Sequence, residues 1–354
     1  MALNEFLEEW YGPSTEVQVH TSGSTGTPKK MWVEKEKMKN SARLTCDFLG
    51  LQQGDTALLC MSTDFIAGKM MVVRSICRQL RLYSVEPSGH PLKDDPECQC
   101  IDFRQTKEQA EHSFPQAKKT SQPPFYTLVA MVPMQVYNSL QVPKEAEALR
   151  ATRHLLIGGG AIDEELARQL DDFPHAVWSS YAMTETLSHI ALRRINGPEA
   201  TDWYSPFPSV DLRLNEKGCL VINAPLVHDG ELVTHDLAEI RADGCFRILG
   251  RLDNVINSGG IKIQIEEIEK RLKPHLHAPF MITSVRDAKF GQAVVLLTEG
   301  DDIEEATALC RQVLPKYWIP KHCLHVDHLP LTPTGKPARA EAERMAAELL
   351  PNSL

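Results

Sequence analysis

Hydrophobic and polar positions alternate in short runs along this chain, and the runs change character twice. Val17 and Val19 alternate with polar neighbours up to His20, which predicts a short strand. Residues 34–49 carry helical spacing that stops near Gly50. TALLCM at 56–61 reads as a buried strand, 65–79 as a helix and RLYSV at 81–85 as a second strand. A Pro-, Gly- and Asp-rich connection follows over 87–95. Strand-like runs recur at 127–132 (TLVAMV) and 154–159 (HLLIGG), with helical stretches between them. Strands alternating with helices predict a mostly parallel sheet in an α/β architecture.

The first change comes near residue 205. CLVINAPLV, ELVTHDLAEI and CFRILGR are short strands broken by NEKG, HDG and RADG, each a turn signal. A small β subdomain over about 205–250 is expected, attached to the α/β body. The second change comes at Ile261. Helix EEIEKRL, strands ITSV and AVVLLT, helix DIEEATALCRQVL and strand CLHVDHL predict a compact α+β unit. The expected division is therefore 1–251 and 252–354.

Composition narrows the function classes. The 354 residues suit two or three cores, and 42% hydrophobic with 24% charged residues is ordinary globular composition. A net charge of −9 argues against a broad nucleic-acid footprint, which needs clustered excess base. The start, MALNEFLEEWYGP, has no basic segment followed by an apolar one, and no apolar run approaches a membrane span. Nine scattered cysteines predict reduced thiols and a cytoplasmic protein. His322, His325 and His328 tempt a metal reading, but strand alternation sends them to different faces.

The densest chemistry lies at residues 20–30, HTSGSTGTPKK, with five hydroxyls, two glycines and two lysines. Its register fails the GxxxxGK[ST] pattern, because Pro28 stands where the second Gly belongs. Glycines that let backbone approach an anion, hydroxyls that donate, and Lys29 still compose a phosphate cradle from Thr21, Ser22, Gly23, Ser24, Thr25, Gly26 and Lys29.

TSGSTGTPK resembles the phosphate loop of the adenylate-forming superfamily, which holds acyl-CoA synthetases, peptide-synthetase adenylation domains and firefly luciferase. Further stretches resemble its motifs in the same order. SYAMTET at 180–186 is similar to YGxTE, with Ala182 for Gly. The resemblance implies Tyr181 against adenine, Thr184 on the α-phosphate and Glu185 on Mg²⁺, roles that suit a ring, a hydroxyl and a hard carboxylate. Gly158, Gly159 and Gly160 match the turn beside adenine. THD at 234–236 stands for TGD, implying Asp236 on the ribose hydroxyls, with His235 a departure. GRLD at 250–253 resembles the hinge motif, implying nucleotide contact by Arg251 and rotation about Asp253. Gly259 and Gly260 match the loop on the coenzyme A side. LPLTPTGK at 329–336 resembles the C-terminal motif whose lysine, here Lys336, serves adenylation.

The resemblance spans residues 20 to about 340. It implies a carboxylate attacking the α-phosphate of Mg·ATP, then displacement of AMP from the acyl-adenylate by coenzyme A. One departure is large. Family members carry well over a hundred residues before the phosphate loop, against twenty here. Either the fold is complete in shortened form or a homodimer partner covers the exposed face.

The acid is read from STDFIAGKMMVVRS (62–75) and TLSHIALRR (186–194), which resemble the matching segments of o-succinylbenzoate–CoA ligases of menaquinone biosynthesis. Phe65, Lys69, Arg74, Thr186, Ser188 and His189 are the candidate acid-binding residues. They favour a short acid with a second polar end over a fatty chain. The opposing view has Lys69 and Arg74 merely facing solvent. Two other readings stay open. One is an adenylation enzyme loading a carrier protein, with Asp64 as a weak amino-group anchor. The other is a non-catalytic nucleotide-binding relative.

Overall fold

A computed structural model describes residues 3–20, 30–104, 115–123, 125–332 and 337–350. The phosphate-cradle residues Thr21, Ser22, Gly23, Ser24, Thr25, Gly26 and Lys29, and the C-terminal Lys336, lie outside them.

In the first body the elements run α1 (Leu3–Tyr11), β1 (Glu16–His20), β2 (Lys30–Glu34), α2 (Lys35–Phe48), β3 (Thr56–Leu59), α3 (Ile66–Arg78), β4 (Arg81–Ser84), β5 (Gln99–Asp102), β6 (Lys118–Lys119) and β7 (Leu128–Met131). They continue with α4 (Pro133–Leu140), α5 (Pro143–Arg150), β8 (His154–Ile157), α6 (Glu164–Leu170), β9 (Ala176–Ala182), β10 (His189–Arg194) and β11 (Ser205–Pro206). Nine strands form one sheet in the order β11-β10-β9-β8-β7-β3-β4-β5-β6. The five central strands are parallel. The expected mostly parallel sheet is therefore a mixed one, because both edges are antiparallel additions. Buried runs such as Ala57–Leu58–Leu59 and Leu155–Leu156–Ile157 are the continuous apolar strands that a sheet covered on both faces requires. One core cluster packs α1, α2 and α3 on one side, and a second takes Leu58, Val129, Leu155 and Leu166.

α1 brings Phe6, Leu7 and Trp10 into the first cluster, all at most 6% exposed. Glu9 ties it down. One carboxylate oxygen accepts from the Gln18 backbone N–H at 2.8 Å, and the other meets Lys69 Nζ at 3.4 Å. The Lys69 ammonium also sits over the Phe6 ring, 4.7 Å from its centre. Lys69 thus serves packing of the first helix: burial lowers its pKa and Glu9 opposes that shift. Truncating Glu9 to alanine removes that carboxylate from a buried ammonium. The expected loss is about 2 kcal/mol, below the range for a fully buried pair because Glu9 is partly exposed. A chemical-denaturation comparison of Glu9→Ala with the unaltered protein checks it.

Strands β12 (Asp211–Leu214), β13 (Cys219–Asn223), β14 (Glu231–Ile240) and β15 (Phe246–Arg251) follow as an antiparallel four-stranded sheet. A 3₁₀ turn at Leu252–Asn254 leads out of it. Beyond lie β16 (Val255–Ser258), β17 (Ile261–Gln264), α7 (Ile265–Leu272), β18 (Phe280–Asp287), β19 (Gly291–Thr298), α8 (Ile303–Val313), β20 (His322–His325) and α9 (Arg339–Leu349). Their sheet separates two further core clusters, both built only from residues after Val255. Gly259 and Gly260, at φ of 58° and 83°, form the two-residue turn joining β16 to β17. Such a turn needs positive φ at both positions, so this glycine pair has a structural cause of its own.

Two histidines are held neutral inside the first body. Trp178 Nε1–H donates to His154 Nδ1 at 3.4 Å, which requires that nitrogen unprotonated. Burial, followed by Arg153 and Arg194, pulls the His154 pKa down to about 4. Burial and then Arg74 hold His189 well below its usual value. A depressed folded pKa contributes stability that is complete above the unfolded value near 6.5 and is lost as pH falls toward the folded value. Melting temperature should therefore drop between about pH 6.5 and pH 4, and less steeply in His154→Gln. Thermal melts across that window check the slope.

Candidate active site

The sheet topology places the candidate residues at the carboxyl ends of adjacent parallel strands. Gly158, Gly159 and Gly160 follow β8, while Tyr181 and Ala182 close β9 beside it. A Cβ on Gly158 would stand 2.5 Å from Ser180 Oγ, so only glycine lets these two strand ends lie so close. Ligands of α/β sheets bind at such strand ends.

A turn over 183–188 then carries the chain into β10. Leu187 adopts φ 65° although it is not glycine, with its side chain buried in the core. Leu187 N–H donates to Thr184 O at 2.9 Å, and the Thr186 hydroxyl faces the carbonyls of Met183 at 3.2 Å and Ser188 at 2.8 Å. Thr186 is fully buried. Its hydroxyl braces the turn from within. Held out by this brace, Glu185 is exposed, and its carboxylate has no partner among the described residues. An open single carboxylate fits Mg²⁺, which is held by one or two carboxylates plus phosphate oxygens and water. Among the described residues no group of three or more His, Cys, Asp or Glu is arranged for a metal.

On one side of the turn lies a ring of polar contacts. Asp236 on β14 stands opposite Arg251 on β15, so both side chains share a face. Arg251 donates to Asp236 at 3.1 Å and to Asp253 at 2.9 Å. Tyr181 Oη donates to the other Asp236 oxygen at 2.5 Å. The Tyr181 ring packs edge-on against Phe246 and is 9% exposed. Burial and then Asp236 raise its phenol pKa, so it remains a donor. Asp236 has its backbone fixed by Thr234, whose hydroxyl donates to Leu220 O and accepts from the Asp236 N–H.

At the end of the turn Ser188 meets Arg74, in α3 and 3% exposed. It donates to Ser188 Oγ at 2.5 Å and lies 3.7 Å from Met71 Sδ. Its Nε has no partner, and no carboxylate pairs with it among the described residues. Burial lowers its pKa to about 10. The hydrogen bonds run one way from it. Ser188 meets His189 Nδ1 at 3.4 Å, His189 Nε2 meets Thr45 Oγ1 at 2.9 Å, and Thr45 donates to Ser41 O. Because Thr45 spends its proton on Ser41, Nε2 carries the imidazole hydrogen and Nδ1 accepts.

The solvent-facing view of Lys69 and Arg74 is thus corrected, since both are buried. Glu9 meets the Lys69 ammonium, and Thr45 and the Phe207 ring enclose His189. Phe65 is 42% exposed ahead of α3, and Asp64 is bound by Ser62. Glu9 and Thr45 were missed by sequence reasoning; neither carries a local signal, since each partner lies far along the chain. A cavity of about 600 Å³ beyond β3 and β4, lined by Leu3, Met61, Ser62, Ser84 and Glu86, contains none of the candidate residues. Ser62 and Thr63, the first residues of the segment 62–75 read for the acid, do line it.

The comparison with known families decides between phosphate-binding classes. A family model described as AMP-binding enzyme matches residues 17–236. The chain belongs to the AMP-binding enzyme family. A 2-succinylbenzoate–CoA ligase of Bacillus cereus is 25% identical over 94% of this chain and 70% of its own length. An acyl-CoA synthetase (AMP-forming)/AMP-acid ligase II-like protein from Dyadobacter fermentans is 33% identical, with TM-score 0.60 over 97% of this chain and 92% of that one. The o-succinylbenzoate coenzyme A synthetase of Bacillus subtilis, solved with ATP and magnesium ion, shares the fold at TM-score 0.69 and 20% identity, over 92% of this chain and 69% of that one. The family match and the first two relatives support an AMP-forming acid–CoA ligase, the third shares its fold, and this AMP-binding enzyme has the fold its sequence led us to expect.

Proposed function

We propose that this protein is an ATP-dependent acid–CoA ligase that works through an acyl-adenylate, and that its acid is a short aromatic one with a second carboxylate, o-succinylbenzoate, as in menaquinone biosynthesis. The observation that carries the choice of acid is Arg74. A guanidinium buried without a carboxylate costs several kcal/mol, and a chain that keeps one gains from it when an anion arrives. Half-buried Ser188 marks the side from which that anion reaches it.

The turn over 183–188 connects the two halves of this reading. Asp236, Tyr181 and Arg251 receive the nucleoside on one side, and Arg74 with Ser188 receives the distal carboxylate on the other. Thr184 and Glu185 lie between, where the reacting carboxylate meets the α-phosphate. Glu185 would hold Mg²⁺, which would neutralise charge on the phosphates. Thr184 donates to a phosphate oxygen, the residues of 21–29 hold the leaving pyrophosphate, and Lys336 brings a cation to the developing charge. Asp236 keeps acceptor capacity beyond its bonds with Tyr181 and Arg251, and that capacity can take the ribose hydroxyls. The second reactant, coenzyme A, is placed on the side of Gly259 and Gly260. Nine free cysteines fit a reducing compartment, and among the described residues no helix is long and apolar enough to cross a membrane. We read 1–251 as the nucleotide and acid domain and 252–354 as the moving one, with Asp253 at the hinge. Coupled detection of AMP with a panel of mono- and dicarboxylic acids tests the proposal: turnover of benzoate or acetate without succinylbenzoate would refute the choice of acid.

A further inference from the structure

The segment 250–254 is the covalent connection between the four-stranded sheet and the cores that follow Val255. Polar groups from both sides hold it. From the later side, Gln264 Nε2 donates to Arg251 O at 3.0 Å and to Glu266 at 2.8 Å, and Asn254 donates to Glu266 at 2.5 Å. Gly250, at φ 150°, lies so close to Gln264 that an added Cβ would stand 2.1 Å from its Nε2. From the earlier side, Arg251 bridges Asp236 and Asp253. His235 adds one contact, with Nδ1 2.8 Å from Asp253 Oδ1 and 2.9 Å from Oδ2.

We propose that His235 is a positioning residue: it latches Asp253 of the connecting turn to the strand that carries Asp236, and so holds the two bodies in the arrangement seen here. Strand alternation places His235 on the face opposite Asp236, so Asp253 takes His235 from one face and Arg251 from the other. Two further ion pairs join the bodies, Lys273 with Asp163 at 2.7 Å and Lys270 with Glu164 at 3.5 Å; like His235 and Asp253 they are exposed, so each contributes at most about 1 kcal/mol, and His235 differs from them in holding the connecting turn itself. A hollow of about 290 Å³ lined by Asn215, Lys217, Thr234, His235 and Leu252 leaves room beside the turn. A released turn therefore has somewhere to go. Burial alone would raise the Asp253 carboxyl, but hydrogen bonds from His235 and Arg251 hold it below its usual value.

The functional meaning of this latch rests on the ligase reading, in which that turn is the hinge between two half-reactions. Its test does not. Hydrogen exchange of the turn amides over 252–255 in the full chain is expected to speed up about two- to fivefold in His235→Ala, the range for an exposed pair. His235→Asn places an amide donor near the position of Nδ1 and should restore the unaltered rate. Unchanged exchange in His235→Ala, or equal acceleration in His235→Asn, would overturn the latch. Acid-dependent exchange of pyrophosphate into ATP, measured on the same samples, reports separately on the ligase reading. Its absence from the unaltered protein would remove that reading and leave the latch decided by the exchange rates.

Discussion

Arg74→Leu is expected to lower kcat/KM for an acid with two carboxylates by about thirtyfold to a thousandfold, and to leave the protein at least as stable. The first effect follows from removing a desolvated cation from its anion, worth about 2–4 kcal/mol. The second follows from the uncompensated burial of Arg74, whose Nε has no partner and which no carboxylate pairs among the described residues. Replacing such a charge with an apolar side chain of similar volume is neutral or stabilising. The two readouts together separate the explanations. A structural arginine gives a lower melting temperature and uniform loss with every acid. An anion-binding arginine gives an unchanged or higher melting temperature and loss confined to acids with a second carboxylate. Steady-state kinetics on a dicarboxylate and a monocarboxylate, with a thermal melt, decide it.

Lys336→Ala is expected to cut adenylate formation by two to three orders of magnitude while ATP binding persists. Charge gathers on phosphate in that step, and deletion of one positioned donor or cation costs about 3–4 kcal/mol in the transition state. Attack of coenzyme A on supplied acyl-adenylate needs no cation at the phosphates and should proceed at close to the unaltered rate. Burst measurements of pyrophosphate, beside single-turnover thioester formation from premade adenylate, check both halves. Equal loss in both would make Lys336 a structural residue. Lost ATP binding would make it part of the nucleotide pocket.

How much of this was legible before the structure depends on whether a residue's partner lies nearby in the chain. The runs at 56–61, 127–132 and 154–159 declared themselves as strands because each is apolar over a strand's length and bounded by turn residues. The edge strands β5 and β6 did not: they are four and two residues long and polar in part. α1 was unmarked because its nine residues hold only one apolar stripe, whose meaning depends on the distant surface it covers. The same limit governed the site. Tyr181, Asp236 and Arg251 sit in motifs, and the structure does gather them. Lys69 looked like a pocket cation because its partner Glu9 is sixty residues away. TLSHIALRR looked like pocket lining, whereas Ile190, Ala191 and Leu192 belong to a buried antiparallel strand, with Ser188 at its mouth and His189 turned inward. His235 was visible as a departure from a glycine, but its bond to Asp253 needed the fold.

In the proposed CoA-forming ligase, one turn joins a nucleotide site to an anion-binding acid site. The most direct measurement is AMP release by purified protein given ATP, Mg²⁺, coenzyme A and o-succinylbenzoate, with omission of each component in turn. AMP and acyl-CoA are expected in equal amounts, dependent on all four, with little turnover when the distal carboxylate is esterified. AMP formation indifferent to that ester, or acid activation that leaves coenzyme A unconsumed, would contradict it.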